Sequence, residues 1–72
     1  MFTQYQAVQL AIESLEETMS GESVKLCRGQ KGTILDVLNV PNNPVGYNVE
    51  FYDQNGKTVA VTTVAEDALE AV

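Results

Sequence analysis

The chain has no histidine and only one cysteine, Cys27, among its 72 residues. Without histidine it lacks the usual general base that activates a hydroxyl or thiol, so nucleophilic catalysis is not expected. A single cysteine excludes an internal disulfide and therefore a secreted, disulfide-held scaffold. Cys27 is predicted to be a small packing residue at the end of a strand. We expect a protein that is not an enzyme and that uses no cofactor.

Positive charge is also scarce, since four Lys and Arg residues stand against ten Asp and Glu residues, giving a net charge of −6. Affinity for nucleic acids depends on basic side chains that displace counterions from phosphates, so binding to DNA or RNA is not expected. Three of the bases, Lys25, Arg28 and Lys31, lie close together in the chain. They are predicted to solvate a turn between strands, and the alternative is a local basic site.

Long apolar runs are missing, and residues 1–6 lack the basic and apolar regions of a signal peptide. We therefore expect no membrane segment and a cytoplasmic location. The length predicts one domain, residues 1–72, with a small core. A core of this size is marginal in stability without a partner, which is compatible with a homo-oligomer.

The first turn and strand signals begin within the basic cluster. Gly29 and Gly32 precede a β-rich stretch, residues 33–40, whose apolar side chains do not alternate cleanly. Either both faces of this strand are covered or a bulge rotates the chain midway. Pro41 and Pro44 end the strand, because neither proline can donate to a ladder.

A second, cleanly alternating strand runs to Phe51 and leads into an Asn-Gly turn. A three-residue loop with Gly56 in the left-handed conformation would pair Phe51 with Val59. A two-residue loop would instead pair Phe51 with Ala60. We favour the three-residue loop, because it places Val59 and Val61 on the same buried face as Phe51.

The two ends of the chain carry weaker signals. Apolar spacing over residues 5–19 fits a helix, but part of it also alternates as in a strand. We favour a strand at residues 6–12 and then an acidic loop with one helical turn, and the helix stays open as the alternative. Near the other end, Thr63 and Glu66 have the spacing of a capping box, which predicts a short helical turn. The predicted core residues are Val8, Leu10, Ile34, Val49, Phe51, Val59, Val61 and Leu69.

The glycine spacing, the second strand and its turn together resemble a family of short bacterial proteins, often cyanobacterial, classed as an uncharacterised domain. The resemblance covers about residues 5–70. The matching positions are Gly29, Gly32, Thr33, Val49, Glu50, Phe51, Gly56 and Thr58. It implies a mainly β fold, a small SH3-like barrel of four to five antiparallel strands with a short helical turn. The same barrel occurs in KOW modules of ribosomal and transcription proteins and in small accessory subunits of photosynthetic complexes.

The small size, the lack of a catalytic set of residues and the net negative charge together predict a non-enzymatic protein-interaction module whose protein partner is unidentified. Such a module could be an antitoxin-like or inhibitor-like protein, or an accessory subunit of a larger assembly. The alternative is a KOW-like nucleic-acid-binding module, in which the three clustered bases act with Tyr47 or Tyr52 as base-stacking residues.

The acidic segment 13–22 is the predicted recognition element, because charge can steer a partner while an apolar side chain anchors it. The residues predicted to contact the partner are Glu13, Leu15, Glu16, Glu17 and Met19. In the alternative interpretation, Leu15 and Met19 cover the end of the barrel and the glutamates solvate them. No metal site is expected, since the spacing lacks the Asp/Asn ladder and glycine of a calcium loop.

Overall fold

The computed structural model describes residues 1–17 and 20–72. These residues form seven strands and one short 3-10 helix, so the prediction of a mainly β protein is confirmed. The strands are β1 (Ala7–Leu10), β2 (Ser14–Glu17), β3 (Ser23–Leu26), β4 (Lys31–Leu38), β5 (Gly46–Tyr52), β6 (Thr58–Ala65) and β7 (Leu69–Ala71). The 3-10 helix, Glu66–Ala68, connects β6 to β7. No helix in the described ranges has the length and apolar character needed to span a bilayer.

Five strands form the main sheet in the order β6-β5-β4-β1-β7, and every pair is antiparallel. The strands β2 and β3 form a separate two-stranded sheet. Within the described chain β6 and β7 do not pair with each other, so the main sheet is not closed. Both β6 and β7 are therefore edge strands.

Inward-facing side chains of the main sheet, joined by one residue of β3, make a single core. The buried apolar residues are Val8, Leu10, Leu26, Ile34, Tyr47, Val49, Phe51, Ala60, Val64 and Leu69. Every predicted core residue outside β6 is among them. The predictions for β6 were wrong, because Val59 is 40% exposed and Val61 is only half-buried.

The loop between β5 and β6 has the predicted three-residue form. Gly56 has a φ of 81°, in the left-handed region that glycine enters without a Cβ clash. Its N–H donates to the carbonyl of Asp53 (3.1 Å), and the Asp53 N–H donates to the carbonyl of Lys57 (2.8 Å). The Asp53 carboxylate also accepts from the N–H groups of Asn55 and Lys57.

A second irregularity just after this loop changes the register of β6. Tyr52 lies opposite Thr58, but Phe51 lies opposite Ala60, so Val59 is an extra residue in the ladder. The expected pairing of Phe51 with Val59 was therefore wrong, although the loop length was right. The bulge at Val59 places Ala60 on the buried face and turns Val59 towards solvent.

The irregular strand β4 contains a bulge, which is one of the two alternatives that its sequence allows. Its register with β5 shifts between Ile34 and Asp36, which leaves Leu35 as the extra residue. Before the bulge Ile34 is fully buried, and after it Val37 and Leu38 are each 37% exposed. The strand ends before Pro41, as predicted.

Gly32, in the first half of β4, is packed too closely for any side chain. A Cβ at this position would lie 2.8 Å from the carbonyl oxygen of Glu50 and 2.9 Å from the Phe51 ring. The first glycine of the same motif, Gly29, has a φ of 86° in the turn before β4. The two glycines of the Gly-x-x-Gly motif are thus needed for different physical reasons.

The N-terminal third differs from its prediction. Strand β1 is shorter than the expected residues 6–12, and residues 14–17 form a strand where a helical turn was predicted. The alternative of one helix over residues 5–19 is also wrong for the described part of that range. Pairing of β1 with both β4 and β7 buries Val8 and Leu10 together, and a helix would have separated these side chains.

The short helical turn near the end of the chain is confirmed at Glu66–Ala68, but the capping box is not formed. The residue before the helix, Ala65, has no capping side chain. The hydroxyl of Thr63 donates instead to the amide oxygen of Asn48 on β5 (2.7 Å). Leu69 is buried, as predicted, and it opens the short last strand.

Candidate functional site

The acidic segment contributes the strand β2 (Ser14–Glu17), which pairs with β3 in the β2–β3 hairpin between β1 and β4. Leu15 lies opposite Lys25, and Glu16 lies opposite Val24. The hairpin is anchored through its second strand, because Val24 packs against the core and Leu26 is 1% exposed. Alternation in β3 therefore turns one face of the hairpin inward and leaves the other in solvent.

Two hydrogen bonds hold the inner side of the hairpin. The Ser14 hydroxyl donates to the Glu16 carboxylate (2.7 Å), so these side chains share the inner face. The Thr62 hydroxyl on β6 donates to the main-chain carbonyl of Glu17 (2.8 Å). The second bond joins the hairpin to a strand of the main sheet, which restrains its orientation.

The outer face of the hairpin exposes an apolar side chain beside charged ones. Leu15 is 72% exposed, and Ile12, just before the hairpin, is 55% exposed. The Lys25 ammonium lies 3.1 Å from the Glu13 carboxylate, in a solvent-exposed ion pair. Because the charge of Lys25 is neutralised by Glu13 in this ion pair, the carboxylate of Glu17 gives this face a net negative charge.

The structure brings together part of the predicted contact set. Glu13, Leu15 and Glu17 are exposed, whereas Glu16 is half-buried on the opposite face. Met19 lies outside the described residues. The interpretation in which Leu15 covers the core is wrong, because its side chain is directed to solvent.

A shallow depression of about 240 Å³ lies beside the Gly-x-x-Gly turn. Its lining includes two of the clustered bases, Arg28 and Lys31, and also Tyr52 at the end of β5 and Asp53 just after it. The Lys31 ammonium donates to the side chain of Gln9 (2.6 Å). The depression is therefore of mixed charge, and sequence proximity alone would have shown only its basic half.

The aromatic residues proposed for base stacking differ in access. Tyr47 is fully buried, so its proposed stacking role was wrong. Tyr52 is half-buried, and its hydroxyl is within hydrogen-bonding distance of Thr33 (3.0 Å) and Glu50 (3.1 Å). These contacts hold Tyr52 against the outer face of the sheet.

Cys27 also lines this depression and is exposed, so its predicted packing role was wrong. The strand β3 ends with the buried Leu26, and the chain then turns, with the Gln30 N–H donating to the Cys27 carbonyl (3.0 Å). The side chain next to a buried strand residue points to the other face, which here is solvent. In the part of the chain that the structure describes, no group of three His, Cys, Asp or Glu residues could hold a metal ion.

A second depression, about 260 Å³ in volume, lies between the β4–β5 loop and the 3-10 helix and is lined in part by Glu66. The buried Tyr47 hydroxyl donates to the Glu66 carboxylate (2.8 Å) and accepts from the Phe2 N–H (3.0 Å). Burial raises the pKa of Tyr47, and the hydrogen bond from Tyr47 lowers the pKa of Glu66. The contacts link three separate segments, which indicates a structural role.

The fold and these sites define a small, mainly β domain with an exposed acidic hairpin. The chain belongs to the family described as Domain of unknown function (DUF4926), whose model matches residues 8–71. The expectation of an uncharacterised domain family is thereby confirmed. No curated protein and no solved structure matches the chain.

Proposed function

We propose that this protein is a non-enzymatic protein-interaction module that binds its partner through the β2–β3 hairpin. The observation that carries the proposal is the exposure of Leu15, at 72%, on an acidic hairpin that is anchored to the core. A large apolar side chain on a restrained element loses little entropy on binding, and it can supply the central anchor of an interface.

We further infer an SH3-like barrel architecture for the module. Five antiparallel strands in one sheet and the bulge in β4 are consistent with it, because bulges bend strands as a barrel requires. The short helical turn before the last strand also agrees with the resemblance in the sequence. This architecture supports many functions, so the proposed role rests on the hairpin and not on the fold.

The chemistry of the hairpin favours a partner with a basic surface. The protein carries a net charge of −6, and four of its ten acids lie within residues 13–22. Complementary charge speeds association and suppresses wrong partners. An inhibitor-like or antitoxin-like protein that covers a basic active site fits this chemistry, and so does an accessory subunit docked on a basic neighbour.

Quantitative affinity capture from the source cells would test this proposal. Leu15→Ser removes the apolar anchor, and Val40→Ser is the matched control, because Val40 is also an exposed apolar residue (56%) but lies beyond β4. We expect one partner to be enriched by the wild type and by Val40→Ser, and to be depleted at least tenfold with Leu15→Ser. A purified partner that binds all three folded proteins equally would remove the hairpin from the interface.

The second candidate, a KOW-like nucleic-acid-binding module, is favoured by one observation. Arg28, Lys31 and Tyr52 line the same depression, so two basic residues and one aromatic residue are close together. The net charge opposes this role, and Asp53 lies in the same depression. A partner captured from cells only while nucleic acid is intact would favour this candidate over the first.

A further inference from the structure

The edge strand β6 has a composition that edge strands usually avoid. It spans eight residues, Thr58–Ala65, with the sequence TVAVTTVA, and contains no charged residue, proline or glycine. Six of these residues are β-branched, which favours extended pairing. A long, uncharged edge strand is a template for another strand. We propose that β6 pairs antiparallel with β6 of a second copy of this chain, which forms a two-fold symmetric dimer.

The other strands with free edges are protected by charge. Glu16 and Glu17 lie in β2, Lys25 lies in β3, and Glu70 lies in the three-residue β7. The second half of β4, beyond its pairing with β1, carries Asp36. The lack of charge is therefore specific to β6 among the free edges of the described chain.

The register shows which main-chain groups of β6 face the free edge. The Glu66 N–H donates to the carbonyl of Val45, which makes this a hydrogen-bonded position of the β5–β6 ladder. Such positions alternate along an antiparallel pair, so Val61, Thr63 and Ala65 direct their N–H and C=O groups away from β5. In the described chain, the outward-facing N–H and C=O groups of Val61 and Thr63 form no main-chain hydrogen bond with a turn, a loop or another strand.

When two β6 strands pair across a two-fold axis, a residue whose N–H and C=O groups point away from β5 must lie opposite a residue of the same kind in the other copy. A register centred on Thr62 satisfies this condition, because it places Val61 of one copy opposite Thr63 of the other. The two symmetry-related pairs of Val61 with Thr63 would form hydrogen bonds with the outward-facing N–H and C=O groups of both residues in both copies. The antiparallel arrangement also brings the end of β6 next to Lys57 in one copy towards the end next to Asp67 in the other, so the charges that flank β6 are complementary.

This charge complementarity at the ends of β6 favours a second copy over an unrelated extended segment. The net charge of −6 on each copy works against association at long range. Salt screens this long-range repulsion more effectively than it weakens the main-chain hydrogen bonds. Dimerisation is therefore expected to strengthen as salt rises from low to physiological ionic strength.

Sedimentation over a dilution series from micromolar to millimolar protein would test the proposal, because small interfaces associate weakly. The wild type is expected to convert from monomer to dimer in this range. Thr63→Pro removes an outward N–H, and its matched control, Ala71→Pro, removes an outward N–H from the other edge strand, β7. We expect Thr63→Pro to raise the dimer dissociation constant at least tenfold and Ala71→Pro to leave it unchanged.

Two additional measurements separate pairing from folding. Thr63→Ala loses the side-chain bond to Asn48 but keeps the main-chain N–H, so it should still dimerise. In the wild type, hydrogen exchange at the N–H groups of Val61 and Thr63 should slow at high protein concentration, a readout that needs no variant. A wild type that stays monomeric throughout the range, or a dimer with fast exchange at both groups, would overturn the proposal. Dimerisation that is equally weakened by Ala71→Pro would also overturn it.

Discussion

The buried hydroxyl of Tyr47 donates a 2.8 Å hydrogen bond to the carboxylate of Glu66, and this bond joins β5 to the 3-10 helix. The amino group of Met1 lies 3.3 Å from the same carboxylate oxygen, and the Phe2 ring packs edge-on against Tyr47 at 5.4 Å. The Glu66 carboxylate and the Tyr47 side chain thus join the segment before β1 to the 3-10 helix that leads into β7.

The acid stability of the protein should depend on Glu66. Its pKa lies below the usual value of 4.5, chiefly because Tyr47 donates to its carboxylate. A carboxyl group with a lowered folded-state pKa stabilises the fold above its unfolded value, and this contribution disappears as pH falls through the folded value. Urea midpoints of the wild type and Glu66→Gln should therefore differ near neutral pH and converge below about pH 4.5. A difference that is the same at every pH would contradict this role.

Gly32 should not tolerate a methyl group. Gly32→Ala places a Cβ 2.8 Å from the Glu50 carbonyl, and overpacking of this kind costs about 1–3 kcal/mol. Gly46→Ala is the control, since a Cβ there meets its nearest neighbours at an ordinary 3.8 Å. Denaturant unfolding should show a clear loss of stability for the first variant and little for the second. Equal stabilities would mean that the β4–β5 contact is looser than described.

Gly56 should be required for its backbone conformation alone. A Cβ at this position would meet nothing within 4 Å, but φ is 81°. Gly56→Val should cost about 1–2 kcal/mol, because a β-branched residue resists the left-handed region. Gly56→Asn should cost less, since asparagine enters this region more readily. Thermal unfolding would measure both, and identical melting temperatures for the two variants would argue against a strained turn.

Phe51 should be essential for folding. It is fully buried in β5, and truncation of a buried phenylalanine costs about 3–5 kcal/mol. That loss is comparable with the whole stability expected of a domain this small. Circular dichroism should show Phe51→Ala to be largely unfolded at room temperature, and a cooperatively folded variant would show that the core tolerates the cavity.

Binding to DNA or RNA should be undetectable near physiological salt. Ten acidic and four basic residues oppose the approach of a phosphate backbone. A gel shift at micromolar protein would test this, with Arg28→Ser and Lys31→Ser as variants of the basic half of the depression. A shift that weakens steeply with salt and with both variants would favour the KOW-like role.

Local signals were sufficient for β5 and its loop. The alternation of Tyr47, Val49 and Phe51 and the Asn-Gly turn identified the strand, the buried face and the conformation of Gly56. The register of β6 was beyond such signals. It depends on the bulge at Val59, and the buried Thr62 that results is stabilised by a bond to the Glu17 carbonyl, 45 residues away in the chain.

The residues of the candidate site could be predicted from the sequence, but the hairpin and the depression that they form could not. The acids and Leu15 are visible in the sequence, but the hairpin forms because Val24 and Leu26 attach β3 to the core. The depression beside the basic turn requires Tyr52 and Asp53, which come from a different hairpin. In both cases the missing information was a contact between segments distant in the chain.

The bulge at Val59 has a consequence for how this family can vary in length. Removing Val59 would leave Thr58 opposite Tyr52 and Ala60 opposite Phe51, in an uninterrupted ladder. The side chains after it would keep their present faces, whereas deletion of any one residue from Ala60 to Val64 would exchange inside for outside in part of the strand. Alignments of related chains should therefore place single-residue gaps at this position, where a change in length leaves the core composition intact.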